Sequence, residues 1–529
     1  MPPALPAAAE RTAPPVVRSA ARIPRWLDLA AALAAGALHS LPFAHTHAWP
    51  LQLALVAFLG WRSASTRPRR AAAIGFAFGT GWLAAGTWWL FVSMHRYGGL
   101  PAPLAAFAVL LLAAFLSLYL AAAMALFARL RSGRVASDAA LFAACWLLAE
   151  LARGVLFTGF PWVASGYAHV DGPLASLAPW IGVYGVGFAA AAVAFLAAQA
   201  LPGWDAPRST ASRWGAVAFA GCLLAAAAIA GPGDHTRTSG TLSVSLLQTN
   251  VAQEEKFAPE RMPQTLGWLA ERLTSARSDL VVAPETAIPL LPEQLGPDYW
   301  NMLKRHFQAD SRAALIGLPL GSFERGYTNS AAGLTRESAG LPGGFYRYDK
   351  YHLVPFGEFI PTGFRWFTDM MNIPLGDFTR GPLAAPSLAV REQRVAPNIC
   401  YEDLFGEELA TRFRDDDRAP TILANLSNIG WFGDTVAIEH HLHITRMRTL
   451  EFQRPMLRST NTGATAIVDH RGRVTASLEP FTQGVLEGRV DGREGLTPYT
   501  RWVSHAGLWP LALLGAAVVG LALRGRPRP

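Results

Sequence analysis

The sequence predicts an α-helical polytopic membrane bundle of about eight spans, carrying one exported α/β domain. Three observations predict it. The 529 residues are 51% hydrophobic and 16% charged, well below the roughly 25% charge usual in soluble domains. Charge is also segregated: residues 1–230 hold only six of the 38 acidic residues, namely Glu10, Asp28, Asp138, Glu150, Asp171 and Asp205. Downstream, residues 240–495 lose the long apolar runs and alternate short β-rich segments with helical ones. A single soluble globule and a disordered chain are both excluded. The net charge of +8 does not point to nucleic acid, because the first-half arginines sit in short clusters between apolar runs, where they set membrane orientation.

The spans follow from charge-free windows, since a bilayer core needs roughly 20 apolar helical residues. Leu29–Trp61 accommodates two, with His39, Pro42, His45, His47 and Pro50 at the turn between them. Ala71–His95, Tyr97–Ala128 and Ala139–Thr158 supply three more, the last interrupted by Glu150 and Arg153, which share a helix face at i, i+3. Gly172–Trp204, Trp214–Gly233 and Trp502–Leu523 complete the set. Arginine clusters lie before span one, between spans two and three, four and five, six and seven, and at the C-terminus. The alternate loops contain only Arg96 and Arg153. Both termini are therefore expected in the cytoplasm and the polar segment outside.

The expected organisation is a disordered basic N-terminus over 1–24, spans one to seven over 25–233, an extracytoplasmic domain over 240–495, the last span over 502–523 and a basic tail over 524–529. In the polar segment, Leu242–Leu247, Leu280–Ala283, Ala314–Leu318, Val395–Ile399 and Thr421–Asn425 read as strands. Met262–Arg277 and Ala437–Phe452 read as helices, and Ala464–Val474 as a hairpin turning at Asp469–Gly472. Strands alternating with helices imply a layered α/β sheet.

Of three cysteines, Cys145 and Cys222 fall in spans, leaving Cys400 alone in the polar domain. An unpaired extracytoplasmic cysteine is either a reactive thiol or a buried inert one. The chain has 43 Arg but only three Lys: Lys256, Lys304 and Lys350. A lysine in so Arg-biased a chain marks a place where a compact ammonium is needed, such as beside a developing oxyanion; for Lys304 chance suffices. Three segments carry chemistry. VVAPETAIP (281–289) ends a strand at Glu285, YDKYHLVPFGEF (348–359) places Lys350 and Glu358 in an aromatic loop, and PNICYEDLF (397–405) sets Cys400 just after a strand. A cysteine nucleophile needs a base, and its tetrahedral oxyanion needs donors, for which Lys350 and the Tyr401 main-chain N–H are candidates.

At these residues the chain resembles the nitrilase (carbon–nitrogen hydrolase) superfamily, and with its spans it resembles the membrane-embedded apolipoprotein N-acyltransferase family within it. QTNVAQEEKF (248–257), NLSNIGWFGD (425–434) and HHLHITRMRTLEFQRPMLRSTNTG (440–463) extend the match. The resemblance implies an αββα sandwich with Glu285 as general base, Lys350 as stabiliser of the tetrahedral intermediate and Cys400 as nucleophile. Glu358 would orient Lys350, while Tyr401 and Glu402 flank the nucleophile. Phe257, Asn428, Trp431, Phe432 and Trp366 are candidates for substrate contact; members of the family it resembles can have Trp where this chain has Phe257, a departure that leaves a binding role there open. Phe359–Leu375, with four aromatic residues and two Met, reads as a mobile, lipid-contacting lid ahead of the alternative, a loop buried on the domain. The implied reaction is ping-pong transfer of an acyl chain from a membrane phospholipid, through a Cys400 thioester, to the α-amino group of a diacylglyceryl apolipoprotein in the bacterial inner membrane. A monomer suffices, and no metal or redox cofactor is implied. From the residues alone, two rivals remain: a membrane-tethered amidase using the same triad, and a transporter or receptor with an exported sensing domain. His440, His441 and His443 read as surface or packing residues, Arg446, Arg448 and Glu451 as an internal ion-pair set, and Glu150 and Arg153 as either a head-group contact or a structural pair.

Overall fold

The computed structural model describes residues 24–202, 209–368 and 377–525. The expected disordered N-terminus lies outside these residues except for Pro24, as do residues 369–375 of the lid segment and all but two residues of the basic tail. Each of the seven apolar windows contains at least one helix. Among the described residues, five helices can cross a membrane by length and composition: Arg25–Ala44, Ala102–Leu130, Val135–Thr158, Pro173–Ala200 and Thr210–Ala230. A sixth results if Pro498–Ala506 and Trp509–Arg524, bent by 89°, are one span. The windows that fall short do so for visible reasons. Trp49–Ala64 has 16 residues, about 24 Å at 1.5 Å per residue against a core of about 30 Å. Pro68–Gly86 opens on Pro-Arg-Arg and carries four glycines.

Twelve strands among the described residues form two six-stranded sheets. The first, ordered β12-β1-β2-β3-β4-β5, contains β1 (Arg237–Gln248), β2 (Leu280–Ala283), β3 (Ala313–Ser322), β4 (Gly326–Leu334), β5 (Tyr346–Asp349) and β12 (Gly484–Glu494). The second, β11-β10-β9-β8-β7-β6, contains β6 (Leu388–Val390), β7 (Gln393–Ile399), β8 (Ile422–Ser427), β9 (Met456–Thr460), β10 (Ala466–Val468) and β11 (Val474–Ser477). All five expected strands and the hairpin are present. Side chains alternate across each strand. Leu280 and Val282 of β2 join Ile422, Ala424 and Leu426 of β8 in the core between the sheets. Val281 and Ala283 point the other way, against the Met262–Ser275 and Pro297–Ala309 helices.

The outer face of the second sheet differs. Its helix Ala437–Phe452 is buried on almost every side, because Ile438, Ile444 and Met447 share one apolar cluster with the membrane helices. The two halves thus meet along this helix. Glu451 accepts a hydrogen bond from the Val183 amide at 2.6 Å, just after Gly182 interrupts the Ala178–Ala197 helix with φ +65°.

Candidate active site

Strand ends assemble the site. Parallel β1-β2-β3 and β7-β8-β9 send their C-terminal ends to one edge, where α/β proteins gather functional groups. Glu285 follows β2, Lys350 follows β5, and Cys400 follows β7.

Lys350 is fully buried, 2.9 Å from Glu358 and 3.6 Å from Glu285. Asn329 of β4 ties the two carboxylates together, its amide donating to Glu285 Oε1 at 2.7 Å and to Glu358 Oε1 at 2.6 Å. The remaining oxygens accept main-chain amides: Asn428 N–H on Glu285 Oε2 at 2.8 Å, and Val354 N–H on Glu358 Oε2 at 2.8 Å. Burial opposes the Lys350 charge, but the carboxylates of Glu358 and Glu285 outweigh it and hold the ammonium well above the usual lysine range. Burial pushes the Cys400 thiol up to about 12; the Glu285 charge adds to the rise, and Lys350 opposes it. A sulfur held this way is protonated at neutral pH, and nucleophilic chemistry through it would need coupled proton removal.

Cys400 adopts φ +51°, a left-handed conformation that few non-glycine residues hold without support. Its carbonyl accepts from Asn425 Nδ2 and His441 Nε2, both at 3.2 Å. The His441 tautomer follows from its partners. Arg458, which can only donate, lies 2.7 Å from Nδ1, so Nε2 carries the hydrogen and directs it toward Asp403 at 2.8 Å and Cys400. Glu402 joins the Cys400 and Lys350 segments, accepting from Ile399 N–H, Tyr348 Oη and Tyr351 N–H at 2.7 Å each. Tyr401 is buried, and its hydroxyl donates to the Gly159 carbonyl of the membrane half at 3.1 Å.

The structure thus brings together Glu285, Lys350, Glu358, Cys400, Tyr401, Glu402 and Asn428. Asn428 is buried; it holds Glu285 through its amide and Gln253 through its side chain at 2.9 Å. Trp431 and Phe432 pack on Tyr97 and Trp89, with ring centroids 5.7 and 4.3 Å apart. Phe257 is 37% exposed, and Trp366 is 62% exposed on the Arg365–Thr368 turn. His440 and His441 are buried. Arg448 pairs with Glu451 at 2.8 Å, whereas Arg446 reaches out of its helix to Asp171.

Sequence reasoning missed Asn329, Asn425 and the role of His441, whose contacts to Glu285 and to the Cys400 carbonyl span 25 or more residues. It also left Lys256 without a role. This buried ammonium donates to the Glu285 carbonyl at 3.1 Å, and burial lowers it to about 8 against the pull of Glu285. The scarcity of lysine was the one available signal.

Residues 35–196 match the family described as apolipoprotein N-acyltransferase N-terminal domain, and residues 243–499 match the carbon-nitrogen hydrolase family. An apolipoprotein N-acyltransferase of Verminephrobacter eiseniae is 53% identical over 504 residues, covering 91% of this chain and 92% of its own length. Proteins of the same name from Ralstonia nicotianae and Bordetella bronchiseptica are 45% and 42% identical; each alignment covers 95% of this chain, and 94% and 98% of theirs. A solved carbon-nitrogen hydrolase from Helicobacter pylori matches 54% of this chain and 95% of its own at 17% identity, with a TM-score of 0.35.

Proposed function

The chain belongs to the apolipoprotein N-acyltransferase family, and from that premise we propose how its site transfers an acyl group to the N-terminus of a lipoprotein. The observation that carries the reading is the cluster of buried Glu285, Lys350 and Glu358 with the half-buried Cys400 at the sheet edge facing the membrane half.

Glu285 takes the Cys400 proton as the sulfur attacks the ester carbonyl of a membrane phospholipid. Lys350 and the Tyr401 amide stabilise the oxyanion. Collapse breaks the ester C–O bond, leaves a Cys400 thioester and returns the proton from Glu285 to the departing lysophospholipid. The α-amino group of a diacylglyceryl apolipoprotein then attacks the thioester. Glu285 accepts a proton from that amine and delivers it to the leaving sulfur, so that amide and free thiol result. Glu358 keeps Lys350 in place, and Asn329 and Asn428 aim the Glu285 carboxylate. The exposed Phe257 and Trp366 are assigned to lipid contact, and Trp431 and Phe432 to the wall between site and bundle. The arginine clusters support an inner-membrane protein with cytoplasmic termini and a periplasmic domain spanning 240–495. A monomer contains every group this chemistry uses. Hydrolysis of a small amide is not favoured, because the relatives that match along the whole chain are acyltransferases by name.

Intact-protein mass spectrometry tests the reading. The full chain in detergent, incubated with phospholipid and no acceptor, should gain one acyl group that neutral hydroxylamine removes. Cys400→Ala should gain none, and a diacylglyceryl peptide should discharge the wild-type adduct. A folded enzyme that stays unmodified while iodoacetamide labels Cys400 would refute the phospholipid donor.

A further inference from the structure

The reaction above uses no residue of the membrane half, yet that half carries a buried ion pair. Glu150 and Arg153 are each 3% exposed and stand 3.7 Å apart on the Val135–Val155 helix. Ionisable side chains at membrane depth are costly and mark function more often than packing. Their hydrogen bonds show what they hold. Arg153 Nη1 donates to the carbonyls of Phe160 and Trp162 at 2.9 and 2.6 Å, and the Phe160 amide returns to the Arg153 carbonyl at 2.8 Å. The other Arg153 nitrogen faces Glu150, and the guanidinium carbon lies 5.2 Å from the centre of the Trp82 ring. Glu150 accepts from Ser165 N–H and Oγ at 2.7 and 2.8 Å. One helical turn thus ties the connection between residues 157 and 165 down at Phe160, Trp162 and Ser165.

That connection is strained. Phe157, Thr158, Gly159 and Val163 have φ of 55°, 74°, 83° and 53°. Three of the four are side chains that rarely adopt such angles and hold them only where the surroundings enforce it. At Gly159 there is also no room: a Cβ would fall 2.0 Å from the Gly154 carbonyl oxygen and 3.2 Å from the Phe405 ring. The clamped loop meets the nucleophile segment at two points. The Gly159 carbonyl receives the Tyr401 hydroxyl at 3.1 Å. The Trp162 ring packs 5.6 Å from His441, the imidazole that bonds the Cys400 carbonyl.

We propose that the Glu150–Arg153 pair is a positioning device for the acyl transfer: it holds the 157–165 connection in its strained form, so that Gly159 anchors Tyr401 and thereby fixes the Tyr401 amide toward the oxyanion. This rests on the acyl-transfer reading. Arg153 and Glu150 touch no reacting atom; they act through the loop. The head-group alternative fits less well, because Arg153 Nη1 already serves two main-chain carbonyls and the pair is closed off from the surface.

The test uses full-length enzyme in mixed micelles of phosphatidylethanolamine and phosphatidylglycerol in equal amounts, with two readouts on Cys400. Acylation passes through an oxyanion, whereas alkylation by iodoacetamide does not. Arg153→Lys, which cannot span both carbonyls, should slow acylation at saturating phospholipid by about 100-fold, with half-saturation and alkylation changed by less than about threefold. Tyr401→Phe should do the same, and the double variant should be no slower than the slower single one, because both sever one path. Effects that multiply, or acylation and alkylation falling together, would overturn the inference in favour of a purely structural pair. If Arg153→Lys does not accumulate folded, Glu150→Gln combined with Tyr401→Phe decides by the same criteria. Wild-type enzyme that takes no acyl group defeats the acyl-transfer reading itself. Wild type that is acylated, with variants that match it, defeats only this inference.

Discussion

A half-buried thiol beside a carboxylate is a poor thiolate, and at the residue scale this defines the division of labour in the site. Burial and the Glu285 charge push Cys400 up to about 12, so direct reaction with an alkylating agent should keep rising with pH. In a Cys222→Ser background, which removes the exposed competing thiol, iodoacetamide labelling of Cys400 should increase about tenfold per pH unit between pH 7 and 10, with no plateau at the ordinary thiol value. Glu285→Gln separates the two roles of the carboxylate. Removing its negative charge lowers the thiol, so the labelling curve should move toward neutral pH. Acyl transfer should nevertheless fall by at least about 100-fold, because the proton acceptor is gone. A labelling curve that does not move in Glu285→Gln would mean that the sulfur does not sense this carboxylate. Lysine scarcity made Lys350 and Lys256 conspicuous among 43 arginines, and strand-end motifs did the same for Glu285 and Cys400. Asn329, in β4, left no such mark, and Asn428 stood out only as a candidate for substrate contact, not as a partner of Glu285. Their partners are set by which strand ends meet, and an asparagine in a strand looks the same whether it faces a carboxylate or water.

At the scale of elements, the reach of Glu285 depends on how closely β3 approaches the turn after β2. Gly317 makes that approach possible: a Cβ there would sit 2.3 Å from the Pro284 carbonyl oxygen and 2.7 Å from Glu285 Cα. The Gly317 carbonyl also receives the Ile288 amide at 3.2 Å, closing the turn from the other side. Gly317→Ala must push the Glu285 turn away from Asn329 and Asn428, since the blocking atoms are main chain and cannot swing aside. We expect a folded protein, destabilised by about 1–3 kcal/mol from overpacking, whose acylation rate falls at least about tenfold. Acylation kinetics and an apparent melting temperature check both parts; a variant that melts lower yet keeps full activity would show that the turn tolerates the shift. Elements with strong local patterns were legible. The β2 segment LVVA and the helix Ala437–Phe452 have the bounds expected of them. The short strands β5 and β6, of four and three residues, carry too few alternations to stand out, and their existence depends on the neighbours that pair with them.

At the scale of the whole molecule, the two halves are joined by polar contacts that no local pattern announces. The spacing of Arg446, Arg448 and Glu451 suggested one internal set, and Arg448 with Glu451 forms it. Arg446 instead crosses to Asp171, which lies between two membrane helices and also receives the Thr46 hydroxyl. That partner is 275 residues away, so only the folded arrangement reveals it. The contact has a signed consequence. Hydrogen bonds and charge from Arg446, with the Thr46 hydroxyl, outweigh burial and lower the Asp171 carboxyl to about 2. A carboxyl depressed in the folded state contributes stability above its unfolded value near 3.8, and that stability is lost as pH falls through about 2. Discounted for the solvent around it, the contribution is about 1–2 kcal/mol. Asp171→Asn should therefore lower the apparent melting temperature of the full chain by a few degrees at pH 6–7, with the gap to wild type closing as pH is brought toward 3. Arg446→Gln should reproduce the loss, and the double variant should add little to either single change, because both remove one ion pair. A gap that persists unchanged at acid pH would assign the effect to packing rather than to charge. Stability and catalysis should also part here, since Asp171 lies on the docking seam and the 157–165 connection on the path to Tyr401. Below its melting transition, Asp171→Asn should acylate Cys400 at a rate within about threefold of wild type, while Arg153→Lys should not.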